Sequence, residues 1–116
     1  MKKIKVISLK NCPYSEAAED MLKNNNIAFT VTKVNTNTKK KYKSKLIDTF
    51  PQIYLDIDKK PLLLGGYNEL KNIYDIVNKT SNIQKILNNL NKILSKKWSR
   101  KHKLRLIQTI NINLPN

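Results

Sequence analysis

Residues Asn11–Leu22 read NCPYSEAAEDML. Pro13 suits the first position of a helix, where its missing N–H costs nothing and its φ is already set. Glu16, Ala17, Ala18, Glu19, Met21 and Leu22 are good helix formers. Glu16, Glu19 and Asp20 place negative charge in the early turns, against the positive end of the helix dipole. The run NNN at Asn24–Asn26 marks the end of the helix. Cys12, the single cysteine of the chain, therefore stands at the mouth of a helix.

The flanking pattern sets the fold class. Ile4–Leu9 is short and rich in β-branched residues, which predicts a buried strand before the helix. Ile27, Phe29 and Val31 alternate with polar residues and predict a second strand. The lysine-rich stretch Thr38–Asp48 predicts a short helix, with Tyr42 and Leu46 on its inner face. Ile53, Leu55 and Ile57 alternate again after Pro51, a third strand. A turn at DIDKK leads to Pro61–Leu64, a fourth strand ended by Gly65 and Gly66. Leu70, Ile73, Tyr74 and Val77 fall at i, i+3, i+4 and i+7, the apolar stripe of an amphipathic helix. The predicted order is β-α-β-α-β-β-α plus a C-terminal helix, an α/β class.

Composition narrows the rest. A chain of 116 residues with 40% hydrophobic and 27% charged residues is globular rather than disordered. One cysteine excludes an internal disulfide framework and points to a reducing, cytoplasmic compartment. No apolar run approaches the ~18 residues a membrane span needs. The start MKKIKVISLKN reads as a strand rather than a signal peptide. Lys and Arg total 23 against 8 acidic residues, a net charge of +15, and only Arg100 and Arg105 are arginine. Lys, Asn and Ile, all with A+T-rich codons, make up 21, 16 and 14 residues. Coding in an A+T-rich genome, such as that of a large DNA virus, accounts for much of this charge. A nucleic-acid partner is the competing reading, since lysines bind phosphates without sequence preference.

Three separated motifs, CPYS at Cys12–Ser15, TFP at Thr49–Pro51 and GGYN at Gly65–Asn68, stand in this order. Together with the element order they resemble the glutaredoxins of the thioredoxin superfamily, over residues 1 to about 80. The resemblance implies a thioredoxin-like fold, a four-stranded mixed sheet flanked by helices. It also implies an oxidoreductase that takes glutathione, with glutathionylated or disulfide-containing proteins as partners. Residues 81–116 are then a basic extension of this domain.

The chemistry of the first motif can be read from the residues. A helix start offers unpaired N–H groups and the positive end of the dipole, so a thiol there ionises more readily than a free cysteine. A sulfur of that kind also departs readily when another thiol attacks its partner. Cys12 is therefore the candidate catalytic residue, supported by Pro13, Tyr14 and Ser15. Ser15 stands where a two-thiol site has its resolving cysteine, which leaves a one-thiol cycle. Its hydroxyl or N–H is placed to donate to the Cys12 sulfur.

The resemblance implies the glutathione contacts. Phe50 and Pro51 would form the wall facing the cysteinyl part, with a cis bond between them. Gly66, Tyr67 and Asn68 would hold the γ-glutamyl end at a helix N-terminus, and Tyr14 would line the groove. Family members usually carry an acidic residue where Asn68 stands, and here Glu69 follows it. Many carry a basic residue three before the cysteine; that position is Leu9, and Lys10 is the candidate instead. Lys39, Lys40, Lys41, Lys43 and Lys45 would add attraction for anionic glutathione. An alternative role is a [2Fe–2S] carrier, in which two chains and two glutathiones ligate a cluster through Cys12. No other metal site is expected.

Residues 81–116 contain no acid and eight Lys or Arg. Ile83, Ile86, Leu87, Leu90, Leu94 and Trp98 form a helical stripe, which predicts a helix over about 82–98. Leu104 and Leu106, then Ile110, Ile112 and Leu114, alternate like strands. His102 stands among lysines and reads as solvated rather than as a ligand. The segment is the place where a redox domain would serve as scaffold for a basic module binding nucleic acid or an acidic partner.

Overall fold

Four apolar stretches become the strands β1 (Ile4–Leu9), β2 (Phe29–Val34), β3 (Gln52–Ile57) and β4 (Lys60–Gly65). The computed structural model describes residues 4–35, 37, 49–57 and 60–111. The strands form one mixed sheet in the order β2-β1-β3-β4. β1 and β2 run parallel, Ile4 opposite Phe29 and Leu9 opposite Val34, while β3 is antiparallel to both β1 and β4. A parallel pair needs a crossover rather than a hairpin. Helix α1 (Pro13–Asn24) supplies it.

The two central strands are buried on both faces, as a near-continuous apolar run predicts. Ile4, Val6 and Ser8 lie on one face of β1, and Ile7 on the other packs with Val34 and Phe50. Leu9 and Tyr54 extend that second cluster. Ser15, Ala18, Glu19 and Leu22 are the buried positions of α1, spaced i, i+3, i+4 and i+7. The Ser8 hydroxyl donates to Glu19 Oε2 at 2.7 Å, so a hydrogen bond satisfies the carboxylate that α1 buries.

The NNN run ends α1 by a defined motif. Asn26 takes φ 58°, in the left-handed region that Asn tolerates. The Ile27 N–H then reaches the Leu22 carbonyl at 2.9 Å and the Asn26 N–H reaches the Lys23 carbonyl at 3.1 Å. This pair of bonds closes the last turn. Ile27 is thus buried as part of the helix stop, and the second strand begins two residues later than the alternation predicts. β2 lies at a sheet edge, with Val31 exposed and Val34 buried.

The chain divides by contact into two units, Met1–Leu70 and Lys71–Asn116, the division falling inside helix α2 (Tyr67–Asn78). The second unit continues with α3 (Ile83–Asn91) and α4 (Arg100–Ile110). Two expectations for this stretch are corrected. The single helix over 82–98 stops at Asn91, and Trp98 is buried from the connector rather than from the helix. Leu104, Leu106 and Ile110 belong to a helix, not to strands. The Ser99 side chain accepts the His102 N–H at 3.1 Å and starts that helix. Leu106, Ile107 and Ile110 are its buried face. His102 is half-buried, and its Nδ1 is buried without a hydrogen-bond partner among the described residues, contrary to the solvated reading. Within the unit, Lys103 Nζ donates to Asn91 Oδ1 and Asn111 Nδ2 donates to Asn78 Oδ1.

The helix expected over Thr38–Asp48, with Tyr42, Leu46 and the lysine run, lies outside the described residues, as do Ile112 and Leu114.

Candidate active site around Cys12

A tight turn joins β1 to α1. The Lys10 N–H donates to the Val34 carbonyl at 2.9 Å, prolonging the parallel pairing, and Asn11 then turns the chain at φ 60°. The Leu9 N–H donates to Ser15 Oγ at 3.0 Å. That bond ties the strand end to the first helical turn. Ser15 is fully buried, and its hydroxyl serves this turn.

Cys12 is the N-cap of α1, with extended backbone at φ −108° and ψ 116°. Its carbonyl already accepts the Glu16 N–H at 3.0 Å. Its side chain makes no capping hydrogen bond. The sulfur is half-buried and lies 3.8 Å from the Phe50 carbonyl oxygen, a weak S–H contact. Pro13 occupies the first helical turn, as the sequence predicts.

Phe50 and Pro51 are joined by a cis peptide bond. Both residues are buried. A cleft of about 240 Å³ opens beside them, lined by Thr49, Phe50, Pro51, Tyr14 and the segment Gly66–Glu69. The Tyr14 and Tyr67 rings meet at 6.4 Å with a 44° tilt, Tyr14 being mostly exposed. Gly66 approaches the opposite wall closely: a Cβ there would sit 3.5 Å from the Pro51 carbonyl oxygen.

Gly66 also begins α2, accepting the Leu70 N–H at 3.0 Å. Glu69, three residues on, accepts the Gly66 N–H at 2.9 Å. This is the return half of a capping box. Gly65 makes room for it, with φ +127° and a would-be Cβ only 2.6 Å from Glu69 Cγ.

The fold thus gathers Tyr14, Phe50, Pro51, Gly66, Tyr67 and Asn68 around one cleft, with the Cys12 sulfur at the Phe50 edge. Lys10 is exposed and is not among the lining residues; its backbone belongs to the strand end. Leu9 belongs to the apolar cluster around Phe50. Thr49 and Glu69 line the cleft although neither is among the candidates the sequence supplies. The signal for Glu69 was its spacing from Gly66. A [2Fe–2S] cluster takes four thiolates, of which this chain would offer Cys12 alone; a second chain and two glutathiones would have to supply the other three.

Comparison with known proteins agrees with this arrangement. The glutaredoxin family model matches residues 4–60, a span that includes Cys12 and Pro51 and stops before Gly65. No curated protein matches the sequence. The chain is similar in structure to glutaredoxin 1 from Francisella tularensis, solved as a cacodylate complex, with 28% identity and a TM-score of 0.55. That match covers 67% of this chain and 98% of the other. With its mixed four-stranded sheet and thioredoxin-like fold, the chain is a thioredoxin-superfamily protein that matches the glutaredoxins over the segment around Cys12, which supports a thiol–disulfide oxidoreductase kind of function.

Proposed function

We propose that the chain reduces glutathione mixed disulfides by a one-thiol cycle with Cys12 as nucleophile. The observation that supports this most directly is the position of the sulfur. It sits at an N-cap without capping, 3.8 Å from the carbonyl that begins the cleft wall. The first-turn N–H groups of α1 offer partial positive charge to an anionic sulfur.

In the first step the Cys12 thiolate attacks the glutathione sulfur of a mixed disulfide. The S–S bond breaks, the substrate leaves as its thiolate, and a Cys12–glutathione disulfide remains. In the second step a glutathione thiolate attacks the glutathione sulfur of that disulfide. Oxidised glutathione leaves and the Cys12 thiolate returns. Ser15 cannot replace this second thiol, since it has no sulfur and its hydroxyl accepts the Leu9 N–H.

The cleft supplies the orientation. The Phe50–Pro51 wall receives the cysteinyl part next to Cys12. The N-terminal turn of α2 receives the γ-glutamyl carboxylate through backbone N–H groups at Tyr67 and Asn68. Glu69, the carboxylate lining the cleft, takes the ammonium group of the same end. Lys10 acts at longer range on the anionic ligand. A cycle that draws on glutathione belongs in a reducing compartment. No helix among the described residues is long and apolar enough to cross a membrane.

The test is reduction of a glutathionylated peptide by glutathione. Cys12→Ser is expected to lose turnover while keeping its fold. Full turnover in that variant, or turnover with dithiols but none with glutathione, would overturn the reading.

A further inference from the structure

Charge is unevenly placed along this chain. Residues 1–70 carry thirteen Lys or Arg and seven acids, whereas residues 71–116 carry ten against one, Asp75. Biased coding raises lysine everywhere. It does not clear one unit of carboxylates, nor does it place both arginines, Arg100 and Arg105, in a single helix.

The structure sorts this unit by polarity. Ile86, Leu87 and Leu90 of α3, Leu106, Ile107 and Ile110 of α4, and Trp98 between them are buried. Lys92, Lys96, Lys97, Arg100 and Arg105 are exposed. The connector and the start of α4 therefore present cations over a closely spaced stretch.

We propose that this surface, from Lys92 to Arg105, binds the phosphate backbone of duplex nucleic acid without reading its sequence. A duplex offers one negative charge per ~1.7 Å of axis, a density that rewards several neighbouring cations through counterion release. Arginine adds paired donors suited to phosphate oxygens. Single strands are held by exposed aromatic platforms. The unit's two aromatics are Trp98, which is buried, and Tyr74, which is half-buried. A helix lying on an anionic membrane needs an outward apolar face. Here the apolar faces of α3 and α4 are buried, and Ile93 is the unit's exposed large apolar side chain among the described residues. The surface is independent of the redox reading, because it uses no residue of the cleft.

The test uses the full chain and a short mixed-sequence DNA duplex, with affinity measured across a salt series. Two triple variants remove the same charge: Lys97→Gln with Arg100→Gln and Arg105→Gln, and Lys5→Gln with Lys23→Gln and Lys33→Gln, all at exposed positions. Circular dichroism checks that both remain folded. The first triple is expected to weaken binding and flatten the slope of log K against log salt by roughly 2.7, at about 0.9 per phosphate contact. The second is expected to leave the slope near that of the parent. Equal losses in the two triples would show diffuse charge and overturn the proposal. Tighter binding to phosphatidylserine vesicles, or to the isolated single strand, would overturn it as well.

Discussion

Glu69 reaches back over one helical turn to accept the Gly66 N–H at 2.9 Å, so one carboxylate both starts α2 and lines the cleft beside Pro51. The two roles separate by substitution. Glu69→Gln keeps an oxygen for the Gly66 N–H and loses the charge. It is expected to retain stability and raise KM for glutathione severalfold. Glu69→Ala loses both, with an added loss of about 0.3–1.5 kcal/mol in thermal or urea unfolding. An unchanged KM in both variants would remove Glu69 from the ligand site.

The adjacent glycines should respond differently. Gly65→Ala must hold an alanine at φ +127° and displace Glu69, whose Cγ would lie 2.6 Å from the new Cβ. A loss of about 1–3 kcal/mol is expected from urea unfolding. Gly66→Ala meets the Pro51 carbonyl at an ordinary 3.5 Å and should fold well. Its added methyl narrows the cleft, so its defect should show in KM for glutathione.

Ser15 is a structural hydroxyl before it is anything else. Ser15→Ala leaves the part-buried Leu9 N–H without its acceptor, at a cost of about 1 kcal/mol. Turnover per folded molecule should survive under the proposed one-thiol cycle, because the Ser15 hydroxyl is engaged with the Leu9 N–H and the contact of the Cys12 sulfur is to the Phe50 carbonyl. Ser15→Cys should trap an internal disulfide on oxidation, seen as the loss of two titratable thiols, and slow the glutathione-dependent cycle.

Alkaline stability reports on Tyr54. Burial pushes its phenol above the ordinary 10.0, and its O–H donates to Gln52 Oε1 at 2.9 Å. The folded state thus holds the proton after the unfolded chain has released it. The resulting stability is complete below pH 10 and falls as pH rises through the folded value. Tyr54→Phe should make the urea midpoint less sensitive to pH above 10 than that of the parent. Parallel pH profiles would show that Tyr54 does not contribute.

Much of the first unit was legible because periodicity and punctuation agreed. Pro13 after Cys12, the Asn24–Asn26 stop and the alternation of Ile53, Leu55 and Ile57 each name an element and its end. Ile27 misled because a residue buried by a helix-stopping turn looks the same in sequence as the first inward residue of a strand. Leu104, Leu106 and Ile110 misled because even spacing over a few residues fits a strand and a helix alike; the Ser99 cap decides between them. The site was legible as motifs but not as contacts. Lys10 and Glu69 are both near the right place in sequence, yet the turn at Asn11 and the capping geometry at Gly66 decide which of them reaches the cleft.

Helix α1 begins at a residue poorly chosen for holding a helix closed. Serine in that position would accept a first-turn N–H, whereas the Cys12 sulfur takes no such bond. The variant Cys12→Ser should accordingly melt higher than its parent, by a margin equivalent to about 0.5–1 kcal/mol. Reactivity in this protein is then maintained against its own robustness, and selection for thermal tolerance alone would drift toward losing the sulfur.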